Sequence, residues 1–258
     1  MKSFLSMIFV LLYALTAGAQ THEYAVPAKL PLERAVRREF PGWMKMPNRF
    51  PGLIPEQFFP IGWSRDGKFA YYYEPVDEAC GCYFARLVIQ DMRTDKVLWE
   101  FKYNQDETLR EGGDKMAPED TIRKLWRKNR KLFSDKLREH AIVAGTSVLL
   151  GKIFTIGSPY TTKAVVKMGK DPYDEERVAK LSITLASKAL GTKTLYSADH
   201  TKDEYWGMLD AGILGVIKSP FERRVAVVGM EVNRGWEGPP HTGDIRIIGA
   251  DLKGGFGK

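Results

Sequence analysis

The run Phe58-Phe-Pro-Ile-Gly-Trp63-Ser-Arg-Asp-Gly67-Lys-Phe-Ala-Tyr-Tyr-Tyr-Glu74 decides the fold class. Two apolar, aromatic segments flank Ser64-Arg65-Asp66-Gly67, where Asp and Gly supply the backbone freedom of a tight turn. Residues 58–63 and 68–74 are therefore expected as the two strands of a hairpin. Past a loop, residues 83–91 predict a third strand, Arg93-Thr94-Asp95 a turn, and residues 96–101 a fourth. Four short strands joined by tight turns form an antiparallel meander.

Working outward, a helix is expected next. Pro118 suits a first helical position, and Glu119 and Asp120 suit the positive end of a helix dipole. Ile122, Leu125, Trp126, Leu132, Phe133 and Leu137 recur at helical spacing and predict one apolar stripe, with the helix running over 117–145 and ending near Gly145. The opposite face carries Arg123, Lys124, Arg127, Lys128, Arg130 and Lys131. Strands resume at 162–168, 179–187, 192–197, 213–217, 223–232 and 244–250. The expected class is α+β and mainly β: antiparallel four-strand meanders around one amphipathic helix. The organisation is a leader at 1–19, a proline-rich arm at 20–57 that hugs the surface, a meander at 58–105, the helix at 117–145, and a β-rich region at 160–258.

Two hairpins look related. Ala70 aligns with Ala226, Arg86 with Arg246 and Asp91 with Asp251, giving a candidate repeat at 213–252. The run Gly62-Trp-Ser-Arg-Asp-Gly-Lys-Phe-Ala-Tyr71 also resembles the blade signature of TolB-type and WD40-like β-propellers, with Arg65 where that family prefers proline. The resemblance covers 58–101 and implies a blade-like unit. A closed propeller is not expected, because four or more blades are required and a helix interrupts the pattern. The whole chain is similar to bacterial secreted proteins of unknown function that end in a Gly-Trp-Glu-Gly-Pro loop, a resemblance that implies no activity.

The chain has 258 residues, 39 Lys plus Arg against 32 Asp plus Glu, and 44% apolar residues. That composition excludes a disordered or collagenous chain. Lys2, an uncharged stretch over 4–15 and Ala17-Gly18-Ala19 predict a Sec-type signal peptide cleaved after Ala19, and hence a secreted or periplasmic protein. The apolar run at 141–150 is too short and too interrupted to span a bilayer, so no transmembrane span is expected in the mature chain.

Chemistry-bearing motifs are sparse. Cys80-Gly81-Cys82 meets an oxidising compartment and is a candidate disulfide; packed thiols and metal binding are the alternatives. Asp77 and Glu78 beside it raise thiol pKa and disfavour redox catalysis. His22, His140, His200 and His241 fall in no metal-binding motif, no serine sits in a glycine elbow, and no phosphate-binding loop is present. Neither metal nor cofactor is expected. The longest informative loop is Arg234-Gly-Trp-Glu-Gly-Pro-Pro-His241-Thr-Gly, which places Arg234, Trp236, Glu237 and His241 in a hairpin connection that needs only two to five residues. These four are the candidate ligand-binding residues. The six helix cations are a candidate anionic-surface patch, and export argues against a nucleic-acid partner.

The leading expectation is a non-enzymatic binding or scaffolding protein of the cell envelope, contacting an envelope protein or anionic polymer. The alternative is an envelope hydrolase with its site between the two meanders, using His241 and a carboxylate such as Asp244 or Glu237.

Overall fold

The computed structural model describes residues 24–45, 52–76, 82–110, 121–202 and 207–257. The expected leader lies outside these residues, as do Cys80 and Pro118. Helix α1 (Glu33–Glu39) and strand β1 (Leu53–Pro55) precede the meander β2 (Gln57–Trp63), β3 (Lys68–Glu74), β4 (Phe84–Asp91) and β5 (Val97–Asn104). Helices α2 (Gln105–Arg110), α3 (Ile122–Lys128) and α4 (Arg130–Glu139) follow, then two-residue strands β6 (Val143–Ala144) and β7 (Leu149–Leu150). A second meander comprises β8 (Ile153–Ile156), β9 (Ser158–Lys170), β10 (Glu176–Ser187) and β11 (Gly191–Asp199), closed by a 3₁₀ turn at His200–Lys202. The last strands are β12 (Met208–Lys218), β13 (Arg224–Asn233) and β14 (His241–Asp251).

Strands hold 51% of the described residues, so the fold is mainly β with few helices, as expected. They form three open sheets, ordered β5-β4-β3-β2-β6, β11-β10-β9-β8 and β1-β14-β13-β12-β7. Among the described residues none closes into a barrel. All ten strands read from sequence are present; β1, β6, β7 and β8 were not anticipated.

The sheets stack as layers, with the β12–β14 sheet in the middle. One of its faces sets Ala226, Val228, Met230 and Val232 against Phe58, Phe69, Val88 and Met92 of the first meander. The other sets Val216, Val225, Val227 and Ile248 against Leu181, Ile183 and Leu185 of β10. Burial on both faces explains why β13 reads as an unbroken run, Val225-Ala-Val-Val228, all fully buried. β10 packs on one face only and alternates Leu, Ser, Ile, Thr, Leu, Ala. On the far side of the first meander, Leu125, Trp126, Phe133 and Leu137 of α3 and α4 cover Tyr72, Leu87 and Ile89.

Two sequence expectations are corrected here. The single helix is two, broken at Asn129, whose side-chain amide donates to the Leu125 carbonyl at 3.0 Å. Restarting at Arg130 shifts the helical phase, so Leu132, expected in the apolar stripe, is exposed. The stop is also earlier than Gly145. Ala141 takes the left-handed conformation (φ 53°), the Ala141 N–H donates to Arg138 O at 2.8 Å and the Ile142 N–H to Leu137 O at 2.9 Å. That pair of bonds caps the last carbonyls, and buried Ile142 packs beside Leu137. The proline-rich arm also does more than hug the surface: Leu30, Leu32, Ala35, Val36 and Phe40 enter the core between the first and middle sheets. From α1, Arg38 donates to Leu214 O at 3.3 Å and Glu39 accepts from Ile213 N–H at 3.3 Å, finishing the β12 edge beyond β7.

The aligned hairpins share their register. Lys68 lies opposite Asp91 and Tyr73 opposite Arg86; Arg224 lies opposite Asp251 and Gly229 opposite Arg246. Asp91 accepts from the Arg93 N–H and Asp251 from the Lys253 N–H, each at 2.8 Å. The strand that precedes each hairpin, β2 or β12, also gains a two-residue strand from the 143–150 segment, beside a glycine in both cases. A Cβ on Gly62 would lie 2.0 Å from Val143 O, and one on Gly215 would lie 2.1 Å from Leu150 O.

Candidate functional site

The 234–240 loop joins β13 to β14 and is tied down along its length. The Arg234 N–H donates to Gly207 O at 3.0 Å, and its guanidinium reaches Glu175 of the β9–β10 turn at 2.6 Å. Glu175 also holds Arg177, so the loop is linked to the second meander by an ion network. At the loop's end, His241 Nδ1 accepts from the Gly235 N–H at 3.2 Å, its ring meets Trp43 edge-on at 5.3 Å, and its backbone N–H donates to Gly52 O at 2.8 Å. The Pro239–Pro240 peptide is cis. Trp236 stands at the tip with 86% of its surface exposed, and Glu237 is exposed beside it. Arg234, Trp236 and Glu237 thus share an open, braced loop, while His241 is half-buried and serves as one of the braces.

A second feature lies between the first meander and β14, where the sequence reading places a site with Asp244 but not with Glu56, Gln90 or Asp95. Where the three sheets meet lies a cavity of about 770 Å³. One wall is the first meander, with Tyr71 and Tyr73 on β3 and Arg86 and Gln90 on β4; the other is β14 with Glu231 of β13, and Tyr196 of β11 closes the rim. Among the described residues, β14 has a neighbouring strand on this side over only part of its length. β1 pairs with β14 in parallel over three residues only. Beyond them the Glu56 carboxylate accepts from the Ile245 N–H at 2.6 Å, the Gln90 amide donates to Ile247 O at 3.2 Å, and Asp95 accepts from the Gly249 N–H at 2.7 Å. Three side chains, two residues apart along the edge, do part of what a strand backbone would do, and leave space where the strand would run.

The electrostatics follow from this burial. Glu56 is 7% exposed. Burial pushes its carboxyl up to about 8 against the pull of the Ile245 hydrogen bond, and the charges of Asp244 and Glu231 raise it further. Burial likewise raises Asp95 and pushes Tyr73 up to about 12. Arg86 donates to Glu100 at 3.2 Å and lies over the Tyr73 ring; Arg246 binds Glu231 and lies 4.3 Å from the Tyr196 ring centroid. Asp244 accepts from the Asn233 amide at 2.9 Å.

His241 and Asp244 do not form a pair. Three residues apart on one strand they point to opposite faces: His241 to Trp43, Asp244 into the cavity. Glu237 is exposed in the turn. The six helix cations, Arg123, Lys124, Arg127, Lys128, Arg130 and Lys131, are all exposed, with Lys131 paired to Asp135 at 2.6 Å. Cys82 is disulfide-bonded. Among the described residues no group of three or more His, Cys, Asp or Glu is placed to hold a metal ion, and no helix is long and apolar enough to cross a membrane. Glu56 was missed because nothing in a proline-rich arm marks one carboxylate as the continuation of a sheet edge.

Comparison with protein-family models, curated proteins and solved structures found no match.

Proposed function

We propose that the chain is an exported binding or scaffolding protein of the cell envelope, with the 234–242 loop as its contact surface. The observation that carries this reading is a tryptophan 86% exposed on a loop held by the side chains of Glu175 and His241 and by the Gly207 carbonyl. Exposed aromatics on pre-ordered loops lose little conformational entropy on binding and often anchor interfaces. The cationic face of α3 and α4 supplies a second, weaker attraction to anionic polymers, screened by salt. Co-sedimentation of the purified chain with envelope fractions tests the reading. Retention should fall at least tenfold in Trp236→Ala and measurably in Glu237→Ala; binding at wild-type level by both variants would overturn it.

The hydrolase reading is favoured by one observation, the cavity between the meanders with Asp244 and buried Glu56 on its walls, where burial pushes the Glu56 carboxyl up to about 8. In that reading Glu56, not His241, is the proton donor. A panel of hydrolase substrates with Asp244→Asn as control decides it: no turnover by the wild-type chain retires the enzyme.

A further inference from the structure

We infer that the groove between α1 and the 147–151 segment is a binding site for a single-chain alkyl carboxylate, of the size of a medium-chain fatty acid. The groove, about 550 Å³, lies in the range of small-molecule sites. Its origin is the β12 edge, which two separate elements finish. β7 pairs only with Val216 and Ile217. α1 takes over at Leu214 and Ile213, where Arg38 donates to Leu214 O and Glu39 accepts from the Ile213 N–H, each at 3.3 Å. Among the described residues no strand bridges the two covers, and the groove opens beside Leu214.

The chemistry of the walls selects the ligand. Leu30, Ala35 and Leu214, all buried, join Leu149 and Leu150 in an apolar lining, and Val148 stands beside them 63% exposed. Arg34 and Arg38 line the same groove, one helical turn apart on α1. The carboxylates next to them in sequence are committed elsewhere, Glu33 to Lys29 at 3.0 Å and Glu39 to Lys152 at 2.6 Å. Among the described residues neither arginine has an ion pair, and no carboxylate lines the groove. Arg38 gives one N–H to Leu214 O, and a guanidinium carries five. Apolar walls beside two uncompensated cations fit a ligand with an apolar tail and an anionic head. The tail gains by leaving water, and a planar carboxylate matches the fork of a guanidinium. A cationic head is repelled, and a neutral head leaves both charges unused.

The groove shares no residue with the 234–242 loop, so this inference stands or falls apart from the loop reading. The probes are octanoate, 1-octanol and octylammonium, which differ only in the head group, titrated calorimetrically into the purified full chain near neutral pH. Octanoate should bind saturably at one site, with 1-octanol and octylammonium at least tenfold weaker. Hexanoate should bind about tenfold more weakly than octanoate, since each of the two lost methylenes is worth about 0.8 kcal/mol when buried. Arg34→Gln should weaken octanoate at least tenfold and leave 1-octanol unchanged. Val148→Glu, which sets a carboxylate in the groove, should weaken octanoate as well. Both variants change exposed side chains, so the fold is kept. Lys102→Gln removes an exposed charge from β5, which lines no part of the groove, and should have no effect; it separates the site from general attraction to a basic chain. 1-Octanol or octylammonium binding as tightly as octanoate, octanoate binding unaltered in Arg34→Gln and Val148→Glu, an equal loss in Lys102→Gln, or no saturable binding of octanoate would overturn the assignment.

Discussion

The β3–β4 and β13–β14 hairpins are built to one register and end differently. In both, a basic residue lies opposite an aspartate, which accepts from the N–H two positions on. In the first hairpin the chain turns after Asp91 and returns as β5, which pairs with β4 from Gln90 to Phe84. In the second it leaves β14 at Asp251, and the outer edge falls to three residues of β1 and then to side chains. A strand neighbour seals an edge with backbone groups that do not titrate. Side chains satisfy the same hydrogen-bonding groups, leave volume behind and bring ionisable groups into the core. One hairpin therefore becomes a wall and the other the rim of a cavity.

The largest expected effect breaks that comparison at its titratable point. Folded Glu56 keeps its proton up to about pH 8, whereas the unfolded chain releases it near 4.5. Between those values the unfolded state binds fewer protons, so this group lowers stability as pH rises and has no further effect above 8. Glu56→Gln retains an oxygen for the Ile245 N–H and removes the charge. It should match the wild type at pH 4 and exceed it by on the order of 4 kcal/mol at pH 9. Urea titrations at both pH values check this, and a pH-independent difference would refute the buried carboxyl as cause.

Next in size is a swap of demands at one register position. Ile89 and Gly249 are equivalent in the two hairpins, opposite Ala70 and Ala226. Ile89 is fully buried beneath α3 and α4, so Ile89→Ala should destabilise by about 3 kcal/mol. At Gly249 a Cβ would lie 1.9 Å from the Met92 carbonyl oxygen. Backbone cannot yield as a side-chain tip does, so Gly249→Val should be at least as damaging, roughly 3 kcal/mol. Thermal melts of both variants distinguish a core that needs filling from a crossing that needs emptiness.

This pair also shows what was legible in sequence. Strands revealed themselves wherever neighbours in the chain set the pattern: alternation in β10, the Asp-Gly turn before β3, the doubly buried run in β13. The short edge strands stayed hidden, because β1, β6 and β7 owe their pairing to partners far along the chain and carry little pattern of their own. The loop with Arg234 and Trp236 was legible from composition, since it is local. Of the cavity, only its place between the meanders and Asp244 were legible. It depends on Glu56, Gln90 and Asp95 meeting β14 across more than half the sequence, and no local signal encodes that meeting. The bracing contacts of His241, with the Gly235 N–H and the Trp43 ring, were not legible either, because Trp43 lies far away in the sequence.

A smaller effect should be nearly equal in the two hairpins. Asp91→Ala and Asp251→Ala each remove a side-chain acceptor from a turn N–H, a loss of about 1 kcal/mol. Equality within about 0.5 kcal/mol would mark the turns as energetically equivalent units. A much larger loss at Asp251 would show that contacts beyond the turn dominate there, with Arg224 its nearest charged neighbour across the register at 3.9 Å.

The smallest stability change is expected at Arg234. Its pair with Glu175 joins two side chains that are each more than a third exposed, so screening leaves Arg234→Ala within about 0.5 kcal/mol of wild type. The pair matters instead for order: it is the link between the loop and the β9–β10 turn, while His241 braces the other end. Removing it should loosen the loop without unfolding the sheet. The measurement is the heteronuclear NOE of the Trp236 indole, which should fall in Arg234→Ala while the melting temperature stays unchanged. High salt should lower the wild-type NOE in the same direction, because an exposed ion pair weakens as ionic strength rises. An NOE insensitive to both would place the loop's order in the His241 contacts alone, and His241→Ala would then be the variant that releases Trp236.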